Sequence, residues 1–176
     1  VAAIITEPVM CNSGCIPPEP GFLEGLRRLC DQYDIALIFD EVITGFRLSL
    51  GGAQAYYGVT PDLAVFAKAM ANGYPISALA GKQRWMQPIA DGKVIHAGTM
   101  NSSNPTVAAA LATIEVLERD NVHAHIFALS ARLMDGLRAA AHDTGQPLLV
   151  QGPGPMFQTG FTPLTQIRDY RDSLSY

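Results

Sequence analysis

The chain has 176 residues, 48% of them hydrophobic and 16% charged, with a net charge of −4. A chain of this length buries roughly 70% of the surface its unfolded form exposes, so one substantial core is expected. The acidic balance, with no Lys/Arg run longer than two residues, argues against nucleic acid or an anionic membrane as a partner, and no stretch of roughly eighteen consecutive apolar residues offers a transmembrane helix.

Residues 1–7, VAAIITE, form a short apolar run that ends in a carboxylate. They lack the basic start and long apolar centre of a signal peptide. Because the chain opens on Val1 already inside such a run, it reads as a piece of a longer polypeptide. CNSGCIPPEPG (11–21) is turn chemistry. From Gly21 onward Phe22, Leu23, Leu26, Leu29, Cys30 and Tyr33 fall on one side at helical spacing, and IALIFD (35–40) is a second apolar run that ends in a carboxylate. Strand, helix and strand in this order make a βαβ unit with a parallel sheet, and fully apolar strands predict a sheet covered on both faces. PDLAVFAK (61–68) and ISALAGK (76–82) read as third and fourth strands, and a short helix is expected near Trp85.

Asn104-Pro105 opens a long helix to about Asp120, with Asn104 as the expected N-cap. A second helix covers roughly 122–143 and stops at Gly145. PLLVQGPGPMFQTGFT (147–162) reads as two short strands around a Gly-Pro turn. The fold class is therefore α/β, with a mainly parallel sheet and flanking helices. The change of pattern places a boundary near residue 120, dividing a larger domain (1–119) from the start of a small α+β domain (120–176).

Three cysteines, Cys11, Cys15 and Cys30, make an odd number in a long chain, so reduced thiols and a cytoplasmic setting are expected. Cys11 and Cys15 have no second Cys/His pair at zinc spacing, and His123 and His125 point to different helix faces; no metal is expected. Trp85, Tyr56 and Tyr57 read as packing or interface residues. The Ala-rich stretch 106–114 suits close helix–sheet packing.

Three charged residues close three of the predicted strands: Glu7, Asp40 and Lys68. Ligands of open α/β sheets bind outside such strand ends. A lysine directly after an apolar strand is expected to be partly desolvated, which lowers its pKa and suits it to Schiff-base chemistry. Pyridoxal phosphate needs such a lysine, an acid facing its ring nitrogen, and donors for its phosphate. Gly98-Thr99 before NSSNP is a candidate anion cradle, or simply a capped helix start. Arg47 can bind a substrate carboxylate or stand solvated at the surface.

IALIFDEVITGFR (35–47), PDLAVFAKAMANGYP (61–75) and HAGTMNSSNPTVAAA (96–110) resemble three successive signatures of the class III, fold-type I, pyridoxal-phosphate-dependent aminotransferases. EPV (7–9) with NSGCIPPEPGFLEGLR (12–27) is similar to the glutamate-1-semialdehyde aminomutase-like branch. The resemblance implies that Lys68 holds the cofactor as an aldimine and shuttles the substrate proton. It implies that Asp40 pairs with the pyridine nitrogen, that Val42 packs on the ring, and that Glu41 is a supporting acid. Thr99 and the backbone of Gly98 match the element that reaches the phosphate in a neighbouring subunit, which implies a homodimer. Glu7 and Asn12 fall beside the cofactor.

Ala71 and Asn72 stand where the family commonly has glycine. The family's other phosphate loop and its second ring-stacking residue lie upstream of the matched region. The activity implied is amino-group transfer between an amino acid or amine and a keto acid or aldehyde. Intramolecular transfer by a glutamate-1-semialdehyde 2,1-aminomutase is an alternative, and racemases and decarboxylases share the scaffold. A non-catalytic assembly or regulatory module is the reading from a different class.

Overall fold

The computed structural model describes residues 1–175. A four-stranded sheet has the order β1 (Ala3–Thr6), β2 (Ala36–Glu41), β3 (Leu63–Phe66), β4 (Ala78–Gly81). β1, β2 and β3 are parallel, with Thr6 opposite Phe39 and Asp40 opposite Val65, whereas β4 returns antiparallel to β3. This is the expected α/β sheet, and its parallel part lies where the apolar runs predict it.

Helix α1 (Phe22–Gln32) crosses from β1 to β2. It ends because Asp34 takes a left-handed backbone (φ 51°) and the Ile35 N–H turns back onto the Cys30 carbonyl at 2.9 Å, which satisfies an orphan helix carbonyl. Its inner face buries Leu23 and Cys30 against Leu37, Phe39, Val59 and Ala64. Phe22, Leu29 and Tyr33, expected on that face, are exposed. Side chains alternate across a strand, so Leu37, Phe39 and Glu41, each 0% exposed, face α1 and the core. Ile38 and Asp40 face the other way and are only partly covered, while Ile5 on the neighbouring strand stays exposed. The sheet is thus covered on one face in this chain and not on both, because the described helices that pack on it lie on the α1 side.

Asp62 fastens the covered side. Its carboxylate accepts the Leu37 N–H at 2.9 Å and pairs with Arg27 of α1 and Lys82 after β4, both at 2.8 Å. Short helices α2 (Gly52–Tyr57) and α3 (Gln83–Ala90) follow β2 and β4; α3 carries Trp85 as expected. The long helices are α4 (Asn104–Arg119) and α5 (Val122–Thr144), broken at Asp120 and a left-handed Asn121 (φ 47°). The N-cap of α4 is Ser103, not Asn104, which is already helical, and the first turn is held instead by Thr106 Oγ1 donating to the Ser103 carbonyl at 2.9 Å. Gly145 (φ 66°) ends α5, and β5 (Leu148–Gln151) and β6 (Gln158–Phe161) form the expected hairpin. Among the described residues no helix is long and apolar enough to cross a membrane.

Candidate active site

The three parallel strands run in one direction and so end on one side, where Glu7, Asp40 and Lys68 are found. Glu7 follows β1 directly, and Asp40 is the next-to-last residue of β2. Lys68 lies two residues beyond β3, at the start of a 3-10 turn (Lys68–Ala71). All three residues thus stand at the same end of the parallel strands.

Asp40 is half-buried on the open face of the sheet. Its Oδ1 accepts the Val42 N–H at 3.1 Å, an Asx-type turn that fixes the carboxylate and makes Val42 part of its support. Among the described residues Asp40 has no cationic partner.

Lys68 is the counterpart of Asp40. The chain has three lysines. Lys82 is paired with Asp62 at 2.8 Å and Lys93 with Asp91 at 3.0 Å; among the described residues only Lys68 has no carboxylate beside it. Its side chain is exposed, which corrects the expected desolvation: β3 stops at Phe66, and the turn carries the lysine past the strand end into an open cleft. That cleft, about 430 Å³, is lined by Arg47, Lys68, Asn72, Tyr74 and Ile76 among others. Lys68 itself is left-handed (φ 46°), as are Asn72 (φ 47°) and Phe46 (φ 62°). Such a backbone is uncommon away from glycine and costs about 1 kcal/mol or more; Lys68 and Asn72 line this cleft, and Phe46 directly precedes Arg47 on its wall.

Packing holds this turn in place. Met70 and Ala71 are buried against Ala109 and Ala110 of α4, with Phe46 and Phe66 alongside. The alanines of α4 let the helix approach the turn closely, where helix–sheet packing was expected, and the sheet enters the same cluster only through Phe66 and Ala78. On the opposite side His123 of α5 lies with Nε2 3.1 Å from the Phe46 carbonyl. Arg47 is half-buried, not solvated: its Nε is fully buried without a hydrogen-bond partner. It borders both the Lys68 cleft and a larger, mainly apolar cavity of about 540 Å³ against α4 and α5.

Glu41 occupies the opposite face. It is 0% exposed and accepts the Ala53 N–H at 2.5 Å, the Gln54 N–H at 3.1 Å, the Thr44 hydroxyl at 3.0 Å and the Gln54 side-chain amide at 3.2 Å. It thereby caps the start of α2 and ties the turn after β2 to that helix. Glu7 is half-buried and its Oε2 accepts the Cys11 N–H at 3.2 Å, anchoring the following loop, on which Asn12 is exposed. Gly98 and Thr99 lie in a fully exposed loop between α3 and α4, outside the Lys68 cleft.

The sequence matches the class III aminotransferase family over residues 1–169. An omega-transaminase from Sphaerobacter thermophilus is 32% identical, with a TM-score of 0.89 over 97% of this chain and 39% of its own. A glutamate-1-semialdehyde aminomutase from Pseudomonas aeruginosa PAO1, solved in complex with PMP, is 30% identical, with a TM-score of 0.83 over 97% of this chain and 40% of its own. A β-phenylalanine aminotransferase from Variovorax paradoxus is 28% identical, with a TM-score of 0.88 over 99% of this chain and 40% of its own.

The chain belongs to the class III aminotransferases.

This aminotransferase chain spans about two fifths of the length of those solved relatives. Class III aminotransferases depend on pyridoxal phosphate, and the donor set fits that group. Among the described residues, an amine with no carboxylate beside it and a carboxylate with no cation stand at the ends of adjacent parallel strands, the amine on an open cleft.

Period-two alternation already separates Asp40 from Glu41, since neighbours in a strand face opposite ways. Sequence reasoning missed the Asp62 clamp, the burial of Arg47 and the contact of His123. The signals available were weak: an aspartate after a proline, and a lone histidine in a helix.

Proposed function

We propose that the protein transfers an amino group from an amino acid or amine to a keto acid or aldehyde, using pyridoxal phosphate held by Lys68. The observation that carries this reading is the pairing of opposites across β2 and β3. Lys68 is the one lysine lacking a carboxylate, and Asp40 lacks a cation, among the described residues. When bound, the cofactor supplies an aldehyde that takes up the amino group and a ring that draws electrons away from the substrate Cα.

The side chains divide the remaining work. The Lys68 amine holds the cofactor and, once released, moves a proton to and from the substrate Cα. Asp40 holds the proton on the ring nitrogen, the charge that favours burying its own carboxylate. Val42 fixes Asp40 through its N–H and offers its side chain to the ring face. Glu7 orders the loop on the near side. Arg47, on the wall of the Lys68 cleft, suits a substrate carboxylate. Gly98 and Thr99, exposed and away from the Lys68 cleft, suit the phosphate of a second subunit's cofactor in a homodimer.

We place the boundary between the large domain and the start of the small one at residue 120, where α4 gives way to α5. The three thiols are unpaired, which suits a cytoplasmic setting. The likeness to the Pseudomonas aeruginosa aminomutase, 30% against 32% for the omega-transaminase, supports intramolecular transfer as the second reading.

Lys68→Ala tests the proposal. Turnover of an amino donor with a keto acid is expected to fall roughly 10³-fold or more, with an unchanged circular dichroism spectrum. Parental turnover in this variant contradicts it. Product analysis with glutamate-1-semialdehyde separates the two readings, because an aminomutase needs no external acceptor.

A further inference from the structure

The loop between β1 and α1 carries a chemistry that amino-group transfer does not use. Met10 and Ile16 face each other as an antiparallel bridge, with Met10 N–H on the Ile16 carbonyl at 3.0 Å and Ile16 N–H on the Met10 carbonyl at 3.1 Å. Cys11 and Cys15 are the next residues inward on either side. The turn between them is closed by the Cys15 N–H on the Cys11 carbonyl at 3.3 Å, and Cys15 Sγ lies 3.7 Å from the same oxygen. Gly14 (φ 117°) and Cys15 (φ 50°) supply the chain reversal.

The bridge ends at Met10 and Ile16, which as a doubly hydrogen-bonded antiparallel pair stand about 5.5 Å apart between Cα atoms, and beyond it the chain enters a 3-10 turn, Cys11–Ser13. Disulfides accept Cα separations of about 4.4–6.8 Å, and a backbone hydrogen bond across four residues, as from the Cys15 N–H to the Cys11 carbonyl, draws its ends to about 6 Å as in one turn of a helix, within that range. Side by side in the turn, the two thiols shift one another, Cys11 up and Cys15 below the ordinary thiol range. Both are buried in one cluster with Val9, Leu48, Ala53 and Met156. Cys30 is 1% exposed in a different cluster beneath α1.

We propose that Cys11 and Cys15 form a dithiol that closes to an intraloop disulfide when a peroxide oxidises it. Cys15 Sγ attacks one peroxide oxygen; the O–O bond breaks, one water leaves, and Cys15 becomes a sulfenic acid. Cys11 Sγ then attacks Cys15 Sγ; the S–O bond breaks, the S–S bond forms and a second water leaves. Two thiols are oxidised, one hydrogen peroxide is reduced to two waters, and both thiol protons end in those waters. The loop is anchored on both sides of the pair, by Gln151 Nε2 on the Gly14 carbonyl at 3.1 Å and by Glu7 on the Cys11 N–H.

The native, cofactor-loaded protein is exposed to hydrogen peroxide, denatured and alkylated, and its peptides are weighed. Alkylated thiols in this chain are expected to fall from three to one. The peptide holding Cys11 and Cys15 loses two hydrogens and regains both alkylations after reduction, while Cys30 is alkylated throughout. In Cys15→Ser the two-hydrogen loss disappears. Three alkylated thiols after peroxide, a sulfinic acid on one member of the pair, or a bridge to Cys30 or to a second molecule overturns the proposal.

Discussion

At the scale of single residues, two neighbouring carboxylates have opposite fates because a strand turns them to opposite faces. Asp40 looks out onto the open face and keeps one oxygen for the Val42 N–H. Glu41 looks inward and has its hydrogen bonds within the protein, on Thr44, Ala53 and Gln54. Gly52 is part of the same arrangement: it is left-handed (φ 71°), and a Cβ there would collide with the Glu41 carboxylate. Glu41→Gln turns an amide toward backbone donors, so the variant is expected to lose about 2–4 kcal/mol of stability. Urea unfolding followed by circular dichroism checks this; a loss under about 0.5 kcal/mol, the range of ordinary surface changes, contradicts the capping role. The pair was half legible in the sequence. Alternation gave the faces, but the partners of Glu41 lie on α2, beyond what a strand pattern can reveal.

At the scale of elements, the Lys68 turn is shaped by what packs on it. The apolar runs IALIFD and LAVF announce β2 and β3, and the Asn-Pro and Gly signals mark the ends of α4 and α5. The left-handed backbone of Lys68 is not readable in this way. It depends on Met70 and Ala71 being buried under α4 and on Phe46 being held from α5, which are contacts between distant segments. The uncovered sheet face was equally hidden, because an apolar strand reads the same whether or not its second cover lies in the chain.

Asp62 joins α1, β2 and the end of β4 and sets the acid response of the sheet. Burial alone would push its carboxyl up, but Lys82, the Leu37 N–H and Arg27 outweigh burial and hold it down at about 2. A carboxyl that titrates lower in the folded than in the unfolded state, where it titrates near about 3.9, adds stability above the unfolded value. That contribution, about 2 kcal/mol, is lost as pH falls through about 4 toward about 2. Asp62→Ala is therefore expected to be destabilised by at least about 2 kcal/mol at about pH 7, with the gap to the parent narrowing by about pH 3. A gap of equal size at both pH values contradicts the clamp.

At the scale of the whole molecule, the parallel strands of one sheet carry Asp40 and Lys68 at the same end, with Lys68 on an exposed cleft. The exposed loop with Thr99 and the open sheet face leave surface for further structure to cover. On the proposed function Lys68 holds pyridoxal phosphate, while the other two lysines are occupied by Asp62 and Asp91. The most direct test is borohydride reduction of the cofactor-loaded protein, followed by peptide mass mapping. One pyridoxyl-phosphate adduct, on Lys68, is the result expected. No adduct, or an adduct on Lys82 or Lys93, contradicts the account.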